Sequence, residues 1–201
     1  MLSKMSPINS PNVFSIHQIS IEKYMYDALW HFLDHGCGAA FFKYPEKLFE
    51  LVQKSNPKNI LEIGTGIGYS AYVMHCANPN AHIVTIEQES DHCEIAKQKL
   101  GEFKNIKVIN AEAENVLSDY TDKIFDVIFY DGYAPRLMFL KEFERLLTHN
   151  GLLISANSQK KGSLERDGST KQEFLNGLDD ESVWQFQESF ADVLVYKKIS
   201  E

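Results

Sequence analysis

The sequence predicts an α/β fold, a doubly wound open sheet that is mostly parallel and whose last strand runs antiparallel. Three observations predict it. Short β-rich runs alternate with helical segments between residues 59 and 156. Those runs are nearly all apolar, as strands covered on both faces must be. The last two runs, VWQFQE (183–188) and DVLVYKK (192–198), are joined by little more than SFA. A parallel crossover needs a dozen or more residues, so this pair must be antiparallel.

The elements follow in order. The first fifteen residues hold two prolines, two asparagines and four serines, and residues 1–19 read as a loose arm. A helical pattern runs from Ser20, a candidate N-cap, to His35, with Gly36 and Gly38 as the stop. A second helix follows Pro45, with Leu48, Leu51 and Val52 on one face. The strands are NILEI (59–63), HIVTIE (82–87), IKVIN (106–110), FDVIFYD (125–131) and GLLISA (151–156). Helical spacing between them includes Ala96, Leu100 and Phe103, and then Leu140, Phe143 and Leu147. After Asn157 comes a polar loop, SQKKGSLERDGST, then a short helix near 170–178 and the closing pair of strands.

With 201 residues, 44% of them hydrophobic, the chain has material for one core, so 20–201 is expected to be a single domain. Twenty-eight acids against 20 bases leave a formal charge of −8, which argues against a nucleic-acid backbone or an anionic membrane as partner without excluding a local basic patch. Cys37, Cys76 and Cys93 are odd in number and lack C-x-x-C spacing, so a reduced, cytoplasmic protein is expected. No stretch approaches the roughly 20 apolar residues that span a bilayer.

The chemistry is concentrated at LEIGTGIGYS, residues 61–70. In an α/β sheet, ligands bind at the carboxyl ends of the strands, and glycines in the first turn let the backbone come close to them. Here the turn is Gly64-x-Gly66-x-Gly68, preceded by Glu62, and not the G-x-G-x-x-G of a dinucleotide site. An acid at that place suits a ligand bearing an ammonium group. Glu87 ends the second strand, where a carboxylate can accept from both hydroxyls of a ribose. Glu112 and Ala113 follow the third strand, where Glu112 could accept from an adenine amino group, and Asp131 ends the fourth. Each has a plainer reading: Glu62 could cap a helix, Glu87 could favour a helix start through the dipole, and Asp131 could open a turn with Gly132. Four polar strand ends in register with a glycine turn favour the ligand.

On the segments NILEIGTGIGYSAYVM, IVTIEQESDHCEIAKQKL, FDVIFYDGYA and LLTHNGLLISAN, the chain resembles the class I S-adenosylmethionine-dependent methyltransferases. Within them it resembles the O-methyltransferases related to caffeoyl-CoA and catechol O-methyltransferases. The likeness covers about Lys58 to Asn157. It implies a Rossmann-like sheet of seven strands with the last antiparallel, N-terminal helices over 20–57, a cofactor-binding core over 58–157, and a loop, helix and hairpin over 158–201. It also implies S-adenosylmethionine as cofactor. Glu62, Gly64, Thr65, Gly66, Tyr69 and Ser70 would hold its methionine end, with Ser70 at the carboxylate. Glu87 and Gln88 would hold the ribose, Glu112 and Ala113 the adenine, and Asp131 would lie beside the methionine portion.

The same comparison exposes a departure. Metal-dependent members bind a divalent cation through the strand-four aspartate and an Asp-Asn pair ending strand five, and carry a lysine three residues after the first aspartate. Here Asp131 and Asn157 remain as metal candidates, but Ala156 replaces the second carboxylate and Ala134 the lysine. A hard cation wants several oxygen ligands, so a divalent metal is doubtful and the catechol-type mechanism is not expected to carry over. Asp131 and Tyr133 are the catalytic candidates, with Lys160 and Lys161 as other bases. His75, His82, His92 and the three cysteines are not at ligand spacing, and most fall on helix or strand ends away from the predicted cleft edge, so ordinary core or surface roles are expected. Trp30, Phe41, Phe42 and Tyr44 read either as a lid and substrate wall or as core packing or a dimer contact. The expectation is methyl transfer to a hydroxyl of a small molecule. The alternatives are an RNA nucleoside acceptor or a cofactor-binding protein without catalysis; a homodimer is compatible with either.

Overall fold

The computed structural model describes residues 13–36, 42–132, 137–156 and 171–201, with only the backbone of Val13 and Lys171. Its strands are β1 (Asn59–Ile63), β2 (His82–Glu87), β3 (Ile106–Asn110), β4 (Phe125–Tyr130), β5 (Leu147–Ser155), β6 (Trp184–Phe190) and β7 (Val193–Lys198). They form one sheet in the order β3-β2-β1-β4-β5-β7-β6. The first five are parallel, and β7 runs antiparallel to both β5 and β6. The predicted fold class is therefore the observed one.

The helices are α1 (Val13–Asp34), α2 (Pro45–Ser55), α3 (Tyr69–Ala77), α4 (Ser90–Leu100), α5 (Leu137–Leu146) and α6 (Lys171–Leu178). The inner strands are covered on both faces while the edge strands β3 and β6 are largely open, and alternation along each inner strand decides which residue goes where. Ile60, Ile83, Val127, Phe129 and Ile154 pack with side chains of α1 to α4. Leu61, Ile86, Ile128, Tyr130 and Leu153 pack with α5, α6 and Trp184. Burying each such side chain contributes roughly 1.5–3 kcal/mol, so the doubly covered inner strands are the rigid frame of the molecule.

Two local devices set the approach to β1. Pro45 opens α2, where its missing N–H costs nothing. Asn56 closes that helix in the left-handed conformation, at φ 46°, with its N–H donated to the Val52 carbonyl at 3.0 Å.

Boundaries differ from the sequence reading: Phe103, read on a helical face with Ala96 and Leu100, lies past the end of α4, and Leu147, read likewise with Leu140 and Phe143, opens β5. The first helix begins at Val13, so residues 13–19 belong to α1 and not to a loose arm, and Ser20 is not its N-cap. Ser20 lies inside the helix, and its hydroxyl donates to the His17 carbonyl at 2.8 Å. The cause is tertiary: Phe14 is buried edge-on against Phe49 of α2, with ring centres 5.2 Å apart. The expected stop is present, with Gly36 at φ 71° and its N–H on the Leu33 carbonyl; Gly38 lies outside the described residues.

Candidate active site at the carboxyl edge of the sheet

The strand order places β1 between β2 and β4, so the chain crosses in opposite directions on either side of it. Such a switch point leaves a crevice at the carboxyl ends of the strands. The register brings Ile63 level with Ile86 and Tyr130, and Glu87 level with Asn110. The ladder continues one step beyond the strands: Gly64 N–H donates to Ile86 O at 3.0 Å, Asp131 N–H to Ile63 O at 2.9 Å and Ala111 N–H to Glu87 O at 3.0 Å. The polar groups predicted at four strand ends thus share one edge.

The turn after β1 is built on glycine because nothing else fits. Gly64, Gly66 and Gly68 have φ of 93°, 52° and 94°. A Cβ on Gly64 would stand 2.6 Å from the Asp131 carbonyl oxygen, so the ends of β1 and β4 touch through backbone alone. A Cβ on Gly66 would meet the Phe32 ring at 2.9 Å. From Gly68 the chain enters α3, and Tyr69 and Ser70 form its first turn, where helical N–H groups lack partners within the helix.

Glu62 is fully buried at the end of β1. Its two oxygens accept from the hydroxyls of Ser70 and Thr85, the latter at 2.5 Å, and Thr85 is also joined to Thr65. Burial pushes its carboxyl up to about 7, against the lowering effect of the Ser70 and Thr85 hydrogen bonds, and Glu87 adds to the rise. A cation brought to this place would restore its charge. Ser70, expected on a ligand carboxylate, is here engaged with Glu62.

Glu87 is buried at the crevice, with Oε2 accepting from Gly66 N–H at 2.7 Å and Oε1 from Glu89 N–H at 2.9 Å. Burial raises its pKa, opposed by those two N–H groups and by His92. Each carboxylate oxygen has a second lone pair, so the acid can hold the turn and still accept from a ligand. Gln88 beside it is half-buried and donates to Glu89 at 3.2 Å. Glu112 precedes a short 3-10 turn, Ala113–Asn115, with Ala113 buried under it. Asp131 follows β4, half-buried, and Tyr133, Ala134, Asn157, Lys160 and Lys161 lie outside the described residues.

Of the two metal candidates, Asp131 is among the described residues and Asn157 is not. Ala156 is buried and has only a methyl group to offer where a second carboxylate would be needed. Among the described residues no group of three His, Cys, Asp or Glu side chains could hold an ion.

Several neighbours of the site were missed from sequence. Phe32 supports Gly66, and the Tyr24 hydroxyl donates to the Ile67 carbonyl at 3.1 Å, both from α1. Only long-range packing brings them there, and no local spacing signals it. Thr85 was detectable as the single polar residue inside HIVTIE. His92, expected in an ordinary core or surface role, stands in the first turn of α4 beside His31 (ring centres 5.1 Å), Phe32 (5.3 Å) and His35 (6.2 Å). Of the aromatics before β1, Phe42 is core, edge-on to Phe129 at 5.1 Å, and Tyr44 packs on Phe190 at 5.7 Å. Trp30 points to solvent, and Phe41 lies outside the described residues.

A mostly parallel seven-stranded sheet with an acid-flanked glycine turn at its switch point defines a class of nucleoside-cofactor proteins. The family described as methyltransferase domain matches residues 53–194, and the chain belongs to it. It is 30% identical over 129 residues to a catechol O-methyltransferase of Niastella koreensis, a match covering 60% of this chain and 58% of that protein. The chain spans about three fifths of the length of the curated relatives it matches. Among solved structures, the O-methyltransferase TomG of Streptomyces achromogenes, in complex with SAM, superposes with a TM-score of 0.74 at 19% identity, covering 89% of this chain and 90% of that one. The Bacillus cereus O-methyltransferase, in complex with SAH, gives 0.72 at 18%, covering 92% and 97%. These structural likenesses establish the fold.

Proposed function

We propose that the protein transfers a methyl group from S-adenosylmethionine to a hydroxyl of a small-molecule acceptor, without a divalent metal. The observation that carries this is the acid-flanked turn: Glu62 precedes Gly64, Glu87 accepts from the Gly66 N–H at 2.7 Å, and the Asp131 backbone lies too close to Gly64 for a Cβ. β3 and β4 lie three strand spacings apart, about 14 Å, the length scale of a nucleoside joined to an amino acid. In this reading Glu62 compensates the ammonium group and the first turn of α3, with Tyr69 and Ser70, receives the carboxylate. Glu87 and Gln88 accept the ribose hydroxyls, and Glu112 and Ala113 flank the adenine.

When bound, the cofactor supplies an electrophilic methyl group on a sulfonium. The protein's part is alignment and exclusion of water, which can supply much of the acceleration for an in-line displacement. In this reading Asp131 takes the acceptor's hydroxyl proton, with Tyr133 as the second candidate. The acidic balance, −8 overall, favours a small acceptor over RNA. The buried free thiols of Cys76 and Cys93 support a reducing, cytoplasmic setting. Among the described residues no helix is long and apolar enough to cross a membrane.

Methyl transfer from labelled S-adenosylmethionine, run over a panel of catechols, simple phenols and nucleosides, tests the reading. Turnover on a phenolic hydroxyl is expected. Cofactor binding with no turnover on any acceptor would instead support a cofactor-binding protein, and turnover on nucleosides alone would move the acceptor to RNA.

A further inference from the structure

Helix α1 carries a second, outward stripe. Ile16, Ile19, Lys23, Tyr26, Trp30 and Leu33 follow alternating steps of three and four residues, the a and d positions of a heptad. Its apolar members stand in water, with exposures of 68% for Ile16, 84% for Ile19, 56% for Tyr26, 63% for Trp30 and 47% for Leu33. The helix's own core contacts, Ile21, Ala28 and Phe32, lie on another face. At roughly 200 Å² for each large side chain, the stripe leaves about 600 Å² of apolar surface on one copy. Two copies facing each other would bury about 1,200 Å², the size at which specific stable interfaces begin.

The order of residues makes the stripe self-complementary. In an antiparallel pair, each a position faces a d position of the other helix. A two-fold axis crossing α1 between Tyr24 and Met25 sets Ile16 opposite Leu33, Ile19 opposite Trp30 and Lys23 opposite Tyr26. The Lys23 ammonium then meets an aromatic ring, while Asp27 keeps its ion pair with Lys99 at 2.7 Å. On the flanks, Asp27 faces Ser20 and Glu22 faces Leu29, so no two carboxylates oppose each other. A parallel pair would set Lys23 against Lys23 and Glu22 near Asp27, charges of like sign in both layers. We propose that α1 is a homodimer interface in which this stripe packs antiparallel on the same stripe of a second copy, an isologous contact.

Sedimentation equilibrium of the full chain tests it. A dimer with micromolar dissociation is expected, and Ile19→Asp with Trp30→Asp should weaken it at least 100-fold with unchanged circular dichroism, since both side chains are exposed. The register has its own test in a Cys37→Ser background: Ile19→Cys with Trp30→Cys should give a covalent dimer on mild oxidation, and neither single variant should. A wild-type monomer at tens of micromolar would overturn the proposal, whatever else covers the stripe. So would a dimer that survives the double Asp change, or a crosslink formed by either single variant.

Discussion

The backbone N–H of Gly66 donates to the Glu87 carboxylate at 2.7 Å, so the acid ending β2 holds the glycine turn of β1 in place. The residue assigned to the ribose therefore also shapes the cradle. Glu87→Gln keeps one carbonyl acceptor and loses the charge. Charge-assisted hydrogen bonds are worth about 1.5–3 kcal/mol, which corresponds to a roughly 10- to 150-fold loss of S-adenosylmethionine affinity by calorimetry. Glu87→Ala should lose more and also lower the thermal midpoint. An unchanged affinity in both would remove Glu87 from the site.

The contact between Gly64 and Asp131 makes a graded prediction. In Gly64→Ala the new methyl meets a backbone carbonyl at 2.6 Å and a φ of 93°, and neither can yield. Strain and overpacking together should cost roughly 2–4 kcal/mol in urea unfolding. Gly68→Ala has a similar φ, but its methyl meets side-chain atoms, Leu100 Cδ1 at 2.7 Å and the Tyr24 hydroxyl at 3.0 Å, rather than backbone. Its loss should be visibly smaller. Equal losses would mean that the close approach of β1 and β4 does not govern the turn.

Glu62 gives stability a pH dependence of definite sign. Its carboxyl rises from 4.5 unfolded to about 7 folded. Between those values the native state holds a proton that the unfolded state has released, so stability falls as pH rises through that window. Glu62→Gln removes the effect. Relative to wild type it should be near neutral at pH 5 and more stable at pH 8, by about 3 kcal/mol at most. His31 works in the opposite sense: burial, then His35 and His92, lowers its pKa. For that reason the readout is the difference between the two proteins' unfolding curves across pH. A flat difference would show that Glu62 is ionised throughout.

Ala156 predicts indifference to chelation. With a methyl group where a carboxylate ligand would be, activity should be unchanged by EDTA and by added magnesium. Ala156→Asp should create magnesium dependence if Asp131 and Asn157 are the remaining ligands. Loss of wild-type activity in EDTA, restored by magnesium, would reverse this part of the account.

What was legible beforehand follows a physical pattern. NILEI and HIVTIE match β1 and β2 end to end because buried parallel strands are short apolar runs; IKVIN matches β3 as well, although this edge strand has no fully buried residue. The glycine turn was readable because Gly64, Gly66 and Gly68 each need a φ that other residues resist. The start of α1 was not, since Phe14 sits among serines and prolines and declares itself only by docking on Phe49. Nor was the hydroxyl shell of Glu62, because Ser70 and Thr85 reach it from α3 and β2 across the sheet.

The central claim is that the acid-flanked cradle takes a sulfonium nucleoside. Isothermal titration of the wild-type chain with S-adenosylmethionine, with NAD as control, tests it most directly. One site of micromolar affinity for S-adenosylmethionine, tightening from pH 6 to 8 as Glu62 ionises, with no heat from NAD, is the predicted result. No binding of S-adenosylmethionine, or tighter binding of NAD, would contradict it.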